Sequence, residues 1–278
     1  MRWRGERESG EIEDRRGLGV PGGGIALGGG GLLLVVVLSL VTGRSPLEFI
    51  DLLSGPPSAS VDQGARGVPT DEAGQFVSVV LASTEDVWTK KLAARNVEYQ
   101  RPTLVLFDDA VQSACGTTSS AVGPFYCPLD EKVYLDLAFF AELARRFGAP
   151  GDFAQAYVVA HEVGHHVQTL LGITEKVDGA RRGASPEQVN ALSVRVELQA
   201  DCFAGVWGHD AKRLLEEGDV EEGLAAAAAI GDDTLQRRAQ GHTVPETWTH
   251  GSSEMRVRWL RRGLESGDPG ACDTFAQR

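Results

Sequence analysis

An α+β domain, mainly helical with a small sheet and preceded by an N-terminal transmembrane helix, is the fold class this sequence predicts. Three observations predict it. Residues 17–43 carry no charged side chain. Two short runs rich in β-branched and aromatic residues, Thr103–Phe107 and Lys132–Asp136, read as strands. Proline-free stretches leading through Asp152 to Leu171, and through Val194, Leu198 and Cys202, carry apolar residues at helical spacing. A chain of 278 residues has room for one domain of about 200 residues beside an anchor.

From the N-terminus, residues 1–24 are expected as a cytoplasmic tail. Residues 25–43 follow as the transmembrane anchor, with Leu32 to Val41 as its apolar core. A helix of this length spans a hydrocarbon layer of about 30 Å, although its glycines weaken the first half. Arg2, Arg4, Arg7, Arg15 and Arg16 precede it while Arg44 alone follows closely. That excess predicts an N-terminus kept in the cytoplasm and a domain carried across the membrane, periplasmic or extracellular. A cleaved signal peptide competes, because Val41-Thr42-Gly43 offers small residues near a cut. The leading region is long and as acidic as it is basic, which favours the uncleaved anchor. Residues 44–70, with Ser54-Gly55-Pro56-Pro57-Ser58, are expected as a flexible linker. The folded domain is placed at 71–278.

Phe76, Val79, Val80, Val87, Trp88 and Leu92 suit a packed helix, with a break possible at Ser83-Thr84. Of the two strands that follow, Val133 to Leu137 is the candidate for an edge that pairs with an extended ligand backbone; an interior strand is the other reading. Cys115, Cys127, Cys202 and Cys272 allow three pairings, and disulfides are expected in an exported domain. Cys115 with Cys127 would close a Gly/Ser/Thr-rich loop, and Cys202 with Cys272 would pin the C-terminal tail. A buried free Cys202 is the alternative.

The segment Ala160-His161-Glu162-Val163-Gly164-His165-His166 carries chemistry. Side chains four apart share one face of a helix, so His161 and His165 can each offer a nitrogen to one metal ion, with Glu162 beside it. A catalytic zinc site takes three protein ligands and leaves a fourth position open. Asp152 is a plausible N-cap for this helix and Gly172 its left-handed stop. Gly164 costs about 1 kcal/mol mid-helix, which implies that something packs against the backbone there. The third ligand is assigned to Glu197 on a second helix, which opens at Ser185-Pro186. Asp201, one turn on, is assigned to the free ring nitrogen of His161, since a metal-bound imidazole usually donates its other N–H to a carboxylate. His166 points about 100° from His165 and is read as solvated or supporting.

The runs His161-Glu162-Val163-Gly164-His165-His166-Val167-Gln168 and Glu197-Leu198-Gln199-Ala200-Asp201 resemble the signature of the putative neutral zinc metallopeptidases, bacterial proteins with a membrane-anchored N-terminus. Met1-Arg2-Trp3, Gly123-Pro124-Phe125-Tyr126-Cys127-Pro128, Val133-Tyr134-Leu135-Asp136 and Thr249-His250-Gly251-Ser252 are also similar to that family. The resemblance implies a zincin-like metallopeptidase domain with a His-His-Glu site. On this reading one zinc ion sits on His161, His165 and Glu197, and Glu162 is the general base. His250 is the chosen donor to a developing oxyanion, ahead of Tyr134, Tyr157 and His242. The expected function is a membrane-anchored zinc peptidase acting on peptides or proteins outside the cytoplasm. The alternatives are a non-catalytic exported module stabilised by zinc, and another zinc amidohydrolase. A net charge of −12 with no basic patch argues against a nucleic-acid partner.

Overall fold

The computed structural model describes residues 1–18 and 64–276. A mixed five-stranded sheet forms one layer, in the order β2-β1-β3-β7-β6. Its strands are β1 (Ile12–Asp14), β2 (Ala65–Arg66), β3 (Thr103–Leu106), β6 (Phe125–Cys127) and β7 (Lys132–Leu135). The strands β1, β3 and β7 run parallel, while β2 and β6 close the two edges antiparallel. A separate hairpin, β4 (Ala110–Ser113) with β5 (Gly116–Ser119), rises between β3 and β6. The Cys115–Cys127 disulfide ties its turn to β6.

Val133 to Leu137, proposed above as a sheet edge, instead runs through β7, hydrogen-bonded on both sides by β3 and β6. The edge strand on that side is β6. The continuous burial of Val133, Tyr134 and Leu135 agrees with an interior parallel strand, which is apolar on both faces.

The helices are α1 (Glu72–Ala93), α2 (Ala138–Arg145), α3 (Asp152–Leu170), α4 (Ile173–Arg181), α5 (Pro186–Asp210), α6 (Asp219–Ala229), α7 (Asp232–Gln240) and α8 (Ser253–Ser266). Asp71 caps α1 by accepting from the Gly74 N–H. The break expected at Ser83-Thr84 does not occur. Both residues are buried with their hydroxyls engaged, Thr84 donating to the Leu81 carbonyl and Ser83 accepting from the Trp207 indole. Ser185 and Gln188 form a capping box at the start of α5, with Pro186 in the first turn. Gly172, at φ 67°, follows the last turn of α3 and takes the left-handed conformation that ends it.

Two crossings of α5 set the geometry. Against α3, a β-carbon on Gly164 would lie 3.0 Å from the Ala200 carbonyl oxygen and 3.1 Å from its Cα. This is the close approach that a mid-helix glycine implied. Against α8, Gly205 faces Gly263, and a methyl on either would run into backbone of the other helix. The Cys202–Cys272 disulfide fastens the C-terminal turn to the same stretch of α5.

Residues 1–18 enter this core. Met1, Trp3 and Ile12 are buried, and Trp3 meets Phe76 edge-to-face at 5.5 Å. Glu13, fully buried in β1, accepts from Arg15 Nε at 2.7 Å and Lys132 Nζ at 2.8 Å. The Met1 ammonium donates to both Asp152 oxygens at the start of α3.

The membrane topology is therefore corrected. No helix among the described residues is long and apolar enough to cross a membrane, and the expected N-terminal transmembrane helix is not supported; its residues 25–43 lie outside the described residues. The single-pass localisation also fails on pairing. A strand hydrogen-bonded between β2 and β3 lies on the same side of any membrane as they do, so residues 1–18 cannot be a cytoplasmic tail beneath an exported domain.

Candidate metal centre

The three side chains singled out as ligands converge from two helices. His161 and His165 project from one face of α3, with their Nε2 atoms 3.2 Å apart. Glu197 enters from α5, its Oε2 3.2 Å from His161 Nε2 and its Oε1 3.5 Å from His165 Nε2. Ligand-type atoms of all three lie within 4.8 Å of one another. Two imidazoles and one carboxylate match the donor set of a catalytic zinc site, so the residues present fit the metal that the sequence implies.

Each imidazole is held from behind. His161 Nδ1 lies 2.9 Å from Asp201 Oδ1, and His165 Nδ1 lies 2.9 Å from Gln168 Oε1. With both Nδ1 atoms engaged, both Nε2 atoms turn toward the same point. Asp201 is completely buried and held by two more groups. Arg256 from α8 donates to it through Nε at 2.8 Å and Nη2 at 2.9 Å, and the Tyr157 hydroxyl donates at 2.6 Å. A buried bidentate pair of this kind fixes direction as well as charge.

Burial alone would raise the Asp201 pKa, but Arg256 and His161 outweigh it and hold the carboxyl at about 2. Burial would likewise raise Glu197; the two histidines pull it well below the usual carboxylate range. His161 moves the other way. Burial lowers its pKa, yet hydrogen bonds to Asp201 and Glu197 carry it up to about 10. A metal ion binding there must displace that proton. Glu162 is pushed up by burial, partly offset by the neighbouring histidines. No hydrogen bond from a described residue restrains its carboxylate, which faces a cleft of about 880 Å³.

That cleft also holds His250, half-exposed in the turn before α8. Asp232, the first residue of α7, gathers this turn. Its Oδ2 accepts the backbone N–H groups of Thr249, His250 and Gly251 at 2.7–2.9 Å, and its Oδ1 lies 3.2 Å from His250 Nδ1. The Asp232 hydrogen bond raises the His250 pKa against the effect of burial. The weaker oxyanion candidates are placed elsewhere. Tyr134 donates to Asp130, Tyr157 is buried behind His161, and exposed His242 bonds the Gln240 carbonyl. His166 is not solvated but completely buried, bonded to the Gln100 carbonyl at 2.6 Å and to Tyr126 Oη at 3.1 Å.

The full-length match to a family model settles kinship. A model described as putative neutral zinc metallopeptidase matches residues 1–275. The chain belongs to that family. Membership makes zinc the family's metal and peptide hydrolysis its general chemistry. The chain is 49% identical to the uncharacterized protein YpfJ of Escherichia coli (strain K12), over 100% of this chain and 99% of that one. It is 42% identical to the uncharacterized protein Rv2575 of Mycobacterium tuberculosis (strain H37Rv), over 88% of this chain and 85% of that one. No solved structure matches it.

Arg256, Asp232 and Gln168 are the supporting residues that sequence reasoning passed over. An arginine in an amphipathic helix and an acid in a first helical turn both read as solvated, and nothing local marks either as buried beside a site. Gln168 lay inside the recognised motif, one turn after His165 on its own helix, and that spacing could have found it.

Proposed function

We propose that this protein is a zinc-dependent peptidase in which His161, His165 and Glu197 hold one zinc ion and Glu162 is the general base. The observation that carries the reading is the convergence of both Nε2 atoms with the Glu197 carboxylate, beside an unrestrained Glu162. A zinc ion on these three side chains would supply Lewis-acid chemistry to a water and to the scissile carbonyl. Glu162 takes a proton from the attacking water and returns it to the leaving amine. Its burial keeps its basicity above that of a surface glutamate. His250, whose protonated form is favoured by its hydrogen bond to Asp232, donates to the oxyanion that forms at the scissile carbonyl.

The substrate is a peptide or protein segment in extended conformation. Among the described residues β6 is the edge strand on the cleft side, with Phe125 and Tyr126 in the cleft lining, and its backbone is the candidate for strand pairing with substrate. Phe139, Phe147, Ile230 and Leu235 give the cleft apolar walls for side chains.

Glu162→Gln in the full-length chain tests the reading. Zinc content should stay at one per chain while peptide-library cleavage falls by at least about 10²-fold, the usual contribution of a positioned base. Cleavage by the variant at the wild-type rate would remove Glu162 from the chemistry.

A further inference from the structure

The two histidines are backed by different chemistry, and the difference reaches the C-terminal tail. Behind His161 stands a carboxylate. Behind His165 stands Gln168, whose amide could in isolation face the ring with either its oxygen or its nitrogen. Its surroundings permit one orientation. Gln168 Nε2 lies 2.7 Å from the Val196 carbonyl oxygen, and a carbonyl can only accept. The same Nε2 donates to Gln199 Oε1 at 3.1 Å. Gln199 is oriented in turn because its Nε2 donates to the Cys272 carbonyl at 3.0 Å. Both glutamines are buried, so flipping either amide would set oxygen against a carbonyl oxygen at a buried position, at the cost of an unsatisfied polar group.

We propose that Gln168 is the positioning residue for His165, and that Gln199 and the disulfide-held Cys272 carbonyl fix its orientation. The chain of donors leaves Gln168 Oε1 facing His165 Nδ1 at 2.9 Å, so the ring proton sits on Nδ1 and the Nε2 lone pair points at the ligand cluster. Two backbone carbonyls, of Val196 and Cys272, thus select the metal-binding tautomer of a histidine on another helix. The tail belongs to the metal site's support through Cys272, which is bonded to Cys202 on α5. The inference rests on the reading of His165 as a zinc ligand.

The test measures zinc affinity by chelator competition on the full-length chain, beside the absorption spectrum of the cobalt(II) form and the thermal midpoint without metal. Gln168→Met keeps the length and removes the acceptor, and should weaken zinc binding about 10–100-fold, as loss of an outer-shell partner does, and shift the cobalt bands. Gln168→Glu keeps an acceptor for His165 but sets a carboxylate against the Val196 carbonyl. It should melt lower than wild type yet retain zinc affinity within about threefold, a split that a purely structural role would not give. Gln199→Met should lose affinity by a smaller factor than Gln168→Met. Zinc binding by folded Gln168→Met within twofold of wild type would overturn the inference, as would equal losses in the Met and Glu variants. If Gln168→Met does not fold, an unchanged affinity and cobalt spectrum in Gln199→Met would overturn it instead. Undiminished zinc binding by His165→Ala would instead remove the ligand reading, and this inference with it.

Discussion

His250 owes its position to Asp232, and that dependence makes its role measurable. One carboxylate collects three consecutive backbone N–H groups and the His250 ring, so the turn has little freedom to place the imidazole elsewhere. If His250 donates to the oxyanion as an imidazolium, activity persists while the ring is protonated and is lost as pH rises through its raised pKa. His250→Ala should lower kcat about 10²–10³-fold, the usual effect of losing one such donor, with little change in zinc content. Asp232→Asn removes the group that raises the pKa, so the alkaline limb of the kcat profile should move toward lower pH. A limb that stays in place in both variants would assign the ionisation to another group. At this scale the sequence was legible where the candidate site depends on neighbours along the chain. His161, Glu162 and His165 are related by one helical turn, and the turn exists before any tertiary structure does. Asp232, 18 residues before His250, and Arg256, 55 residues after Asp201, acquire their roles only when helices cross, and no spacing rule encodes that.

The crossings of α5 with α3 and α8 hold the site together. Arg256 reaches Asp201, and Asp201 reaches His161, because Gly205 and Gly263 let α5 and α8 touch backbone to backbone. Small residues at such a contact trade helix propensity for proximity. Gly263→Ala should therefore be destabilising, although alanine gains about 1 kcal/mol in propensity. Its methyl is driven into the Cys202 carbonyl, and overpacking of this kind costs about 1–3 kcal/mol or more. Gly179, also inside a helix but with nothing near its missing β-carbon, is the control. Gly179→Ala should raise the thermal midpoint, whereas Gly263→Ala should lower it and weaken zinc binding as Arg256 shifts away from Asp201. Two upward shifts in melting experiments would show that the α5–α8 contact tolerates a methyl. Here, too, the sequence was half legible. Gly164 announced a close approach by its position mid-helix, but the partner, Ala200, was not named by anything nearby. The break expected at Ser83-Thr84 failed because two hydroxyls that usually compete with helix are here satisfied by a carbonyl and an indole.

At the scale of the molecule, the first residues of the chain are part of the sheet that stands behind α3, the helix of His161 and His165. An arginine-rich segment followed by an uncharged run has the pattern of a tail before a membrane anchor, and local pattern holds no information on long-range pairing. What overrides it is tertiary: Ile12 pairs with Leu104, Glu13 with Val105, and the buried Glu13 carboxylate is matched by Arg15 and by Lys132 from β7. Removing β1 would strip β3 of its neighbour and leave a row of unpaired backbone groups on an apolar strand, the condition that favours edge-to-edge aggregation. It would also strand Lys132 and take Trp3 from its contact with Phe76. A chain beginning at Asp71 should therefore be insoluble or melt without a cooperative transition, even with zinc added, because the ligand-type residues lie on α3 and α5 and a metal there cannot restore the backbone pairing that β3 has lost. A milder probe keeps the strand in place. Ile12→Ala should cost about 2–5 kcal/mol, the range for truncating a buried isoleucine, with the zinc site intact in the fraction that stays folded. Circular dichroism melts of the two chains against wild type decide the matter. A cooperative, zinc-binding fragment that starts at Asp71 would show that the sheet can close without β1, and would make the N-terminal strand an accessory to the metal domain rather than a part of it.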